Sequence, residues 1–269
     1  MRRLFGCGVL ATCTLVAGVA PCLAGPPFFT DDPEPVELRH NEFYVFGTLD
    51  HADGASAISG PAIEYNRGVA PNTQFHLVLP YAWNVPNHAA TASGIGDVEL
   101  GIKYRFVNVD NGGLQIGAFP MAELATGSVR RGLGNGHTWY RLPLWIQKSM
   151  GAWTFDGGGG FIINPAPGMY DASSGGALAQ YTFNRRWTLG LELFRQNALA
   201  ADQPGYTLLN AGGYLNFSKN FSLLFSAGGS VAGAQHTVAY LGLYWTWSSA
   251  RSTTRRLSAA ERFSNPSAR

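Results

Sequence analysis

Charge is scarce in this chain and cysteine is confined to one end of it. Only 13% of the 269 residues are charged, about half the usual quarter. The three cysteines, Cys7, Cys13 and Cys22, all lie in the first 24 residues, so the chain beyond has no disulfide framework and no thiol chemistry. Long apolar runs are missing as well. After the first two dozen residues no stretch of about 18 uncharged apolar residues occurs, which excludes helical membrane spans.

The amino terminus begins Met1-Arg2-Arg3, runs apolar from Leu4 through Val19 and reaches Cys22-Leu23-Ala24-Gly25 with the small residues a signal peptidase needs. Residues 1–24 therefore read as a cleaved secretory signal peptide. Removing the two leader arginines from 19 basic residues leaves 17 against 17 acids, a net charge of zero. The balance is uneven, because Arg251, Arg255, Arg256, Arg262 and Arg269 follow Trp247 against Glu261 alone. With 12 positive and 16 negative charges over residues 25–247, no basic field for nucleic acid exists there.

What the chain has in quantity is glycine, 34 residues, and strict alternation. A strand sends successive side chains to opposite faces. Val98, Leu100, Ile102, Tyr104 and Phe106 share one face, with Glu99, Gly101, Lys103 and Arg105 on the other. The pattern recurs at Tyr140, Leu142, Leu144 and Ile146, at Trp187, Leu189, Leu191 and Leu193, and at Leu241, Leu243, Trp245 and Trp247. It predicts twelve strands near residues 42–50, 60–68, 73–83, 97–107, 114–124, 138–148, 153–163, 173–183, 187–196, 208–217, 221–229 and 236–247. At 9 to 12 residues they match the roughly 9–11 that a tilted strand needs to cross a bilayer.

The connections alternate too. Short gaps at 69–72, 108–113, 149–152, 184–186 and 218–220 fall between longer ones at 51–59, 84–96, 125–137, 164–172, 197–207 and 230–235. Outer-membrane barrels join strands by short turns on the periplasmic side and long loops outside. The expected fold is all-β, a twelve-stranded antiparallel transmembrane β-barrel of the outer-membrane type. Residues 25–41 form an amino-terminal periplasmic segment, 42–247 the barrel, and 248–269 an Arg-rich, disordered carboxy-terminal tail. In hydrocarbon every backbone polar group must pair internally, so apolar side chains face lipid and polar ones face the lumen. Pro61, Pro80, Pro120 and Pro143 each remove a ladder donor, which predicts bulges or shifted boundaries around them.

Three motifs, Gly25-Pro26-Pro27-Phe28-Phe29-Thr30-Asp31-Asp32-Pro33-Glu34-Pro35-Val36, the run from Gly94 to Phe106 and the run from Gly132 to Pro143, resemble the bacterial outer-membrane barrels of the transporter family associated with the phenol-degradation meta-pathway. The resemblance covers Gly25 to Trp247. It implies a barrel with a transport role and names no ligand.

The inward register gathers Glu42, Glu64, Glu99, Lys103, Arg105, Glu123, Trp139, Arg141, Trp145, Asp156 and Glu192 as candidate lumen-lining residues. Buried charges demand partners, so an interior lattice of ion pairs is expected. Twelve strands ~4.8 Å apart and tilted ~40° enclose a backbone radius near ~12 Å, and inward side chains remove roughly half of it. Two functions fit: a channel for small, aromatic or amphipathic solutes, or a sealed structural barrel whose loops make surface contacts. The segment Thr30 to Pro35 reads first as a proline-stiffened linker and second as a stretch folded into the periplasmic mouth. The run Gly157 to Gly160 lacks the Lys-Ser or Lys-Thr of a phosphate loop and is expected to make room for a neighbouring side chain or for the amino-terminal segment. His40, His51, His76, His88, His137 and His236 lie at least eleven residues apart, and no serine stands two residues from His76, so neither a metal site nor a catalytic pair is expected. No cofactor and no nucleic-acid partner is implied. The expected partners are outer-membrane lipid, an unidentified small solute, and the periplasmic chaperones and barrel-assembly machinery.

Overall fold

A computed structural model describes residues 26–109 and 113–249. The leader, all three cysteines and most of the Arg-rich tail lie outside the described residues. Fourteen strand segments follow in order: β1 (His40–Ala52), β2 (Ala55–Ala70), β3 (Thr73–Val85), β4 (Ala92–Ile95), β5 (Val98–Asn108), β6 (Leu114–Ala118), β7 (Met121–Leu124), β8 (Trp139–Met150), β9 (Trp153–Ile163), β10 (Ala172–Thr182), β11 (Trp187–Gln196), β12 (Tyr206–Asn216), β13 (Phe221–Gly233) and β14 (His236–Ser248). β4 and β5 are two parts of one strand, both paired with β3, and β6 with β7 form another between β5 and β8. Twelve antiparallel strands result. They close on themselves where β1 pairs with β14, His40 opposite Ser248, leaving no free edge.

The prolines explain the breaks. Pro61 sits within a register shift between Ser59 and Ala62. The carbonyl of Pro80 accepts the Gly96 N–H at 3.0 Å, where β4 gives way to β5. Pro120 separates β6 from β7, and the ladder is carried past it by Ile102 N–H to the Pro120 carbonyl and Phe119 N–H to the Pro143 carbonyl, both 3.1 Å. A proline donates nothing, so its strand kinks while its carbonyl still pairs.

Two of the expected long connections are tight hairpins instead. β1 and β2 extend toward each other until only Asp53-Gly54 joins them, with Asp53 at φ 50° and Gly54 at φ 78°. β13 and β14 likewise run to Ala234-Gln235. At Asp53-Gly54, positive φ at both central residues twists the two-residue turn to match its strands. The long connections on that side are 86–91, 125–138, 164–171 and 197–205.

Apolar positions such as Ile102, Tyr104, Leu142, Leu144, Leu191 and Leu193 lie exposed on the outer wall, while their alternate neighbours are buried. The buried side is largely polar: Glu64, Asn66, Gln74, His76, Glu99, Lys103, Gln147, Asp156, Gln180, Glu192 and Asn210. This inverts the arrangement of a water-soluble core. Among the described residues no helix is long and apolar enough to cross a membrane, so a crossing would fall to the strands.

Residues 26–39 do not hang free as a linker. They run inside the barrel from the end that carries both His40 and Ser248. Phe28 packs among Tyr44, Leu178, Tyr214, Leu224 and Tyr244, the largest apolar cluster of the interior.

Candidate functional site

The interior is built on the inward register of the strands, and its charges are paired across neighbouring strands. His76 on β3 is the hub of one group. Its Nδ1 lies 2.7 Å from Asn66 Oδ1 and its Nε2 2.7 Å from Glu99 Oε1. Glu64 accepts from Asn66 Nδ2 at 2.7 Å and stands 3.6 Å from His76. Arg141 bridges Glu99 and Glu123, the latter at 3.0 Å, and its guanidinium lies 5.7 Å from the centre of the Trp139 ring. Two carboxylates on β5 and β7 thus share one cation from β8.

A second group ties the amino-terminal segment to the wall. Lys103 Nζ lies 3.0 Å from Asp31 and 3.4 Å from Asp32, and 4.9 Å over the Phe119 ring. Arg105 reaches Glu34 at 3.7 Å, Asn72 Oδ1 at 3.0 Å and Gln115 Oε1 at 2.5 Å. From Gln115 the amides continue: Gln115 Nε2 donates to Gln147 at 2.8 Å. Further round the wall, Gln180 Nε2 donates to Asp156 at 3.1 Å. Glu192 accepts the Thr30 backbone N–H at 2.5 Å and Asn210 Nδ2 at 2.9 Å. Glu42 accepts from the hydroxyls of Tyr44 and Tyr244 at 3.0 and 2.8 Å. Trp145 is buried against Phe119 and Met121. The eleven candidate residues therefore fall into several partnered groups around the interior rather than one cluster.

Sequence reasoning favoured a linker for Thr30 to Pro35 and did not place the segment's contacts. Phe29 stacks on Phe194 at 5.1 Å, Ser226 Oγ donates to the Pro27 carbonyl at 2.7 Å, and Val36 N–H donates to Gln74 Oε1 at 2.8 Å. Glycines on the wall make the room. A side chain on Gly190 would meet Phe28, one on Gly117 the Pro33 carbonyl at 3.0 Å, one on Gly176 the Thr30 hydroxyl, and one on Gly68 the backbone of Val36 and Glu37. The run Gly157 to Gly160 serves the sheet itself, since a Cβ on Gly158 would strike Leu144 and Trp145.

Asp97 was likewise not singled out. Its carboxylate accepts the backbone N–H of Gly127 at 2.8 Å and of Asn135 at 2.7 Å, fastening the loop 125–138 to the kink between β4 and β5. The second and third of the recognised motifs meet at this point.

Two cavities flank the segment. One of about 570 Å³ opens toward the end bearing His40, and one of about 460 Å³ lies toward the long loops. Both are lined by Phe28, Phe29, Glu64, Glu99 and Arg141, which marks the place where they adjoin. Their combined lining has ten carboxylates against Lys103, Arg141 and Lys219.

No protein-family model matches the chain, and no curated protein matches it. Solved structures do. The COG4313 outer membrane channel from Pseudomonas putida F1 is 17% identical with a TM-score of 0.64, covering 80% of this chain and 98% of that one. A KdgM porin is 12% identical with a TM-score of 0.53 over 76% of this chain and 99% of that one. A NanC porin is 8% identical with a TM-score of 0.50, over 76% and 98%. The fold is that of the outer-membrane barrels: closed, antiparallel and twelve-stranded.

Proposed function

We propose that this chain is an outer-membrane channel that lets small solutes pass by diffusion, and that aromatic or amphipathic molecules are among them. The observation that carries the reading is the pair of interior cavities that share Phe28 and Phe29 in their linings, one reaching His40 and Thr246 and the other Asp50 and Ser59. A low-dielectric wall focuses the field of its charges into a pore, so ten carboxylates against three cations favour cations over anions. Phe29, Phe46 and Tyr240 in the upper cavity offer ring faces to an apolar solute. The resemblance of three motifs to transporters associated with the phenol-degradation meta-pathway supports the transport role and names no solute. In this orientation the short turns and the barrel's first and last residues face the periplasm, and the loops 86–91, 125–138, 164–171 and 197–205 face outward. A cleaved leader, periplasmic chaperones and the barrel-assembly machinery belong to the proposal.

The second reading is a sealed structural barrel, and the filling of the lumen by residues 26–39 favours it. Purified protein in planar bilayers separates the two. Discrete conductance steps with a preference for potassium over chloride are expected of a channel. Folded protein with no steps, either intact or with residues 26–36 deleted, would establish the sealed barrel. Fractionation with outer membranes and faster gel migration unheated than boiled are the accompanying signs of the barrel in its membrane.

A further inference from the structure

We infer that the segment from Phe28 to Glu37 is a releasable plug, latched by Lys103 and drawn toward the periplasmic mouth by an electric field positive on that side. Its conducting consequence rests on the channel reading; its release does not.

Three features of the structure lead there. The seat is built into the wall: Gly68, Gly117, Gly176 and Gly190, on four different strands, each lack a side chain where the segment passes. Contact this complementary marks a docked state, not a strand end that happens to fall inward. The attachments differ in kind along the segment. Phe28 is held by apolar packing at the deep end, whereas the shallower part is held by the ion pairs of Lys103 with Asp31 and Asp32 and of Arg105 with Glu34. Buried ion pairs return little net stability, because desolvation offsets much of their attraction, so the part of the segment they hold is the part most readily given up to water. The charge is one-sided. Asp31, Asp32, Glu34 and Glu37 are acidic, and no basic residue occurs between Pro26 and Leu38.

Geometry sets the direction of movement. The segment joins β1 at His40, so Arg39 and Glu37 lie near the periplasmic mouth, where Arg39 N–H donates to the Gly68 carbonyl, and Phe28 lies deepest. With its carboxy-terminal end fixed, it can leave only toward the periplasm. A potential positive there pulls all four carboxylates outward, and the opposite potential presses them onto Lys103. An equilibrium between two such arrangements shifts by the difference in their interaction with the field.

The test uses Thr30→Cys, a position fully buried in the docked state, in the full processed chain. In proteoliposomes its reaction with a charged, membrane-impermeant thiol reagent is expected to be slow. It should rise at least tenfold when Lys103→Met is added, and likewise with Asp31→Asn plus Asp32→Asn, which leave the barrel wall untouched. In planar bilayers of known orientation, the intact chain should open more often with the periplasmic side positive, and the latch variants should lose that asymmetry. Equal labelling of Thr30→Cys with and without the latch, in variants whose heat-shifted gel mobility proves them folded, overturns the plug. Steps that open equally at both polarities in the intact chain overturn its response to the field. Accelerated labelling with no current in any variant leaves the release standing and overturns the channel reading instead.

Discussion

The backbone N–H of Thr30 and the carboxylate of Glu192, 162 residues apart, are joined by a hydrogen bond of 2.5 Å. Glu192 is fully buried and its other oxygen accepts from Asn210, so both ends of the carboxylate are engaged. One side chain on β11 thus fixes the depth of the amino-terminal segment and braces β12.

Replacing it tests that double role. Glu192→Ala leaves two buried donors without an acceptor, each worth about 1–3 kcal/mol. Glu192→Gln keeps an acceptor and should cost less. Urea unfolding in lipid vesicles is expected to rank intact chain, Glu192→Gln and Glu192→Ala in falling stability.

The next residue along the strand tests the opposite face. Leu191 is 53% exposed on the outer wall. Leu191→Arg would put a charge against lipid at about 2–4 kcal/mol near the midplane, while Leu191→Val should be nearly neutral. The same unfolding measurement reads both, and a tolerated arginine would mean that Leu191 does not face hydrocarbon.

Asp97 makes a separate prediction about the loop 125–138. Asp97→Ala removes the acceptor of two backbone N–H groups, each bond to a charged group being worth about 1.5–3 kcal/mol. The barrel should still form, and limited proteolysis from outside should cut between Gly127 and Asn135 faster than in the intact chain.

Arg141→Gln removes the one cation shared by Glu99 and Glu123 and adds no charge to crowd them. Cation preference, measured as reversal potential across a salt gradient, is expected to increase. The increase should be greatest at low salt, because the screening length grows from about 10 Å at 0.1 M to about 30 Å at 0.01 M. Unchanged selectivity would place Arg141 off the conducting path.

Most of the wall was legible in the sequence, because lipid outside and polar groups inside impose a two-residue period that persists through whole strands. The run from Val98 to Phe106 shows this, its apolar members outward and its charged members buried or half-buried. The prolines were legible as irregularities, since a missing donor is a local fact. Pairing within the lumen was not. Which carboxylate Arg141 meets depends on the register of three strands, and that Lys103 meets Asp31 and Asp32 depends on a segment with no periodicity at all. Its docking left one mark in the sequence, glycine on the inward face at Gly117, Gly176 and Gly190, and an inward glycine is also what a crowded sheet requires. The hairpins at Asp53-Gly54 and Ala234-Gln235 were hidden by the loss of alternation at the strand tips, where both faces meet water.

The glycine seats have a consequence for the order of events during assembly. The segment's partners come from β1, β2, β3, β5, β6, β10, β11, β12, β13 and β14, so no partly formed sheet presents more than a fraction of them. Contacts at sequence separations of 162 and 199 residues carry a chain-closure cost close to that of the barrel seam itself, where His40 meets Ser248. Full seating therefore requires strands from both ends of the sequence, so residues that stand before the first strand are among the last to gain their complete set of partners.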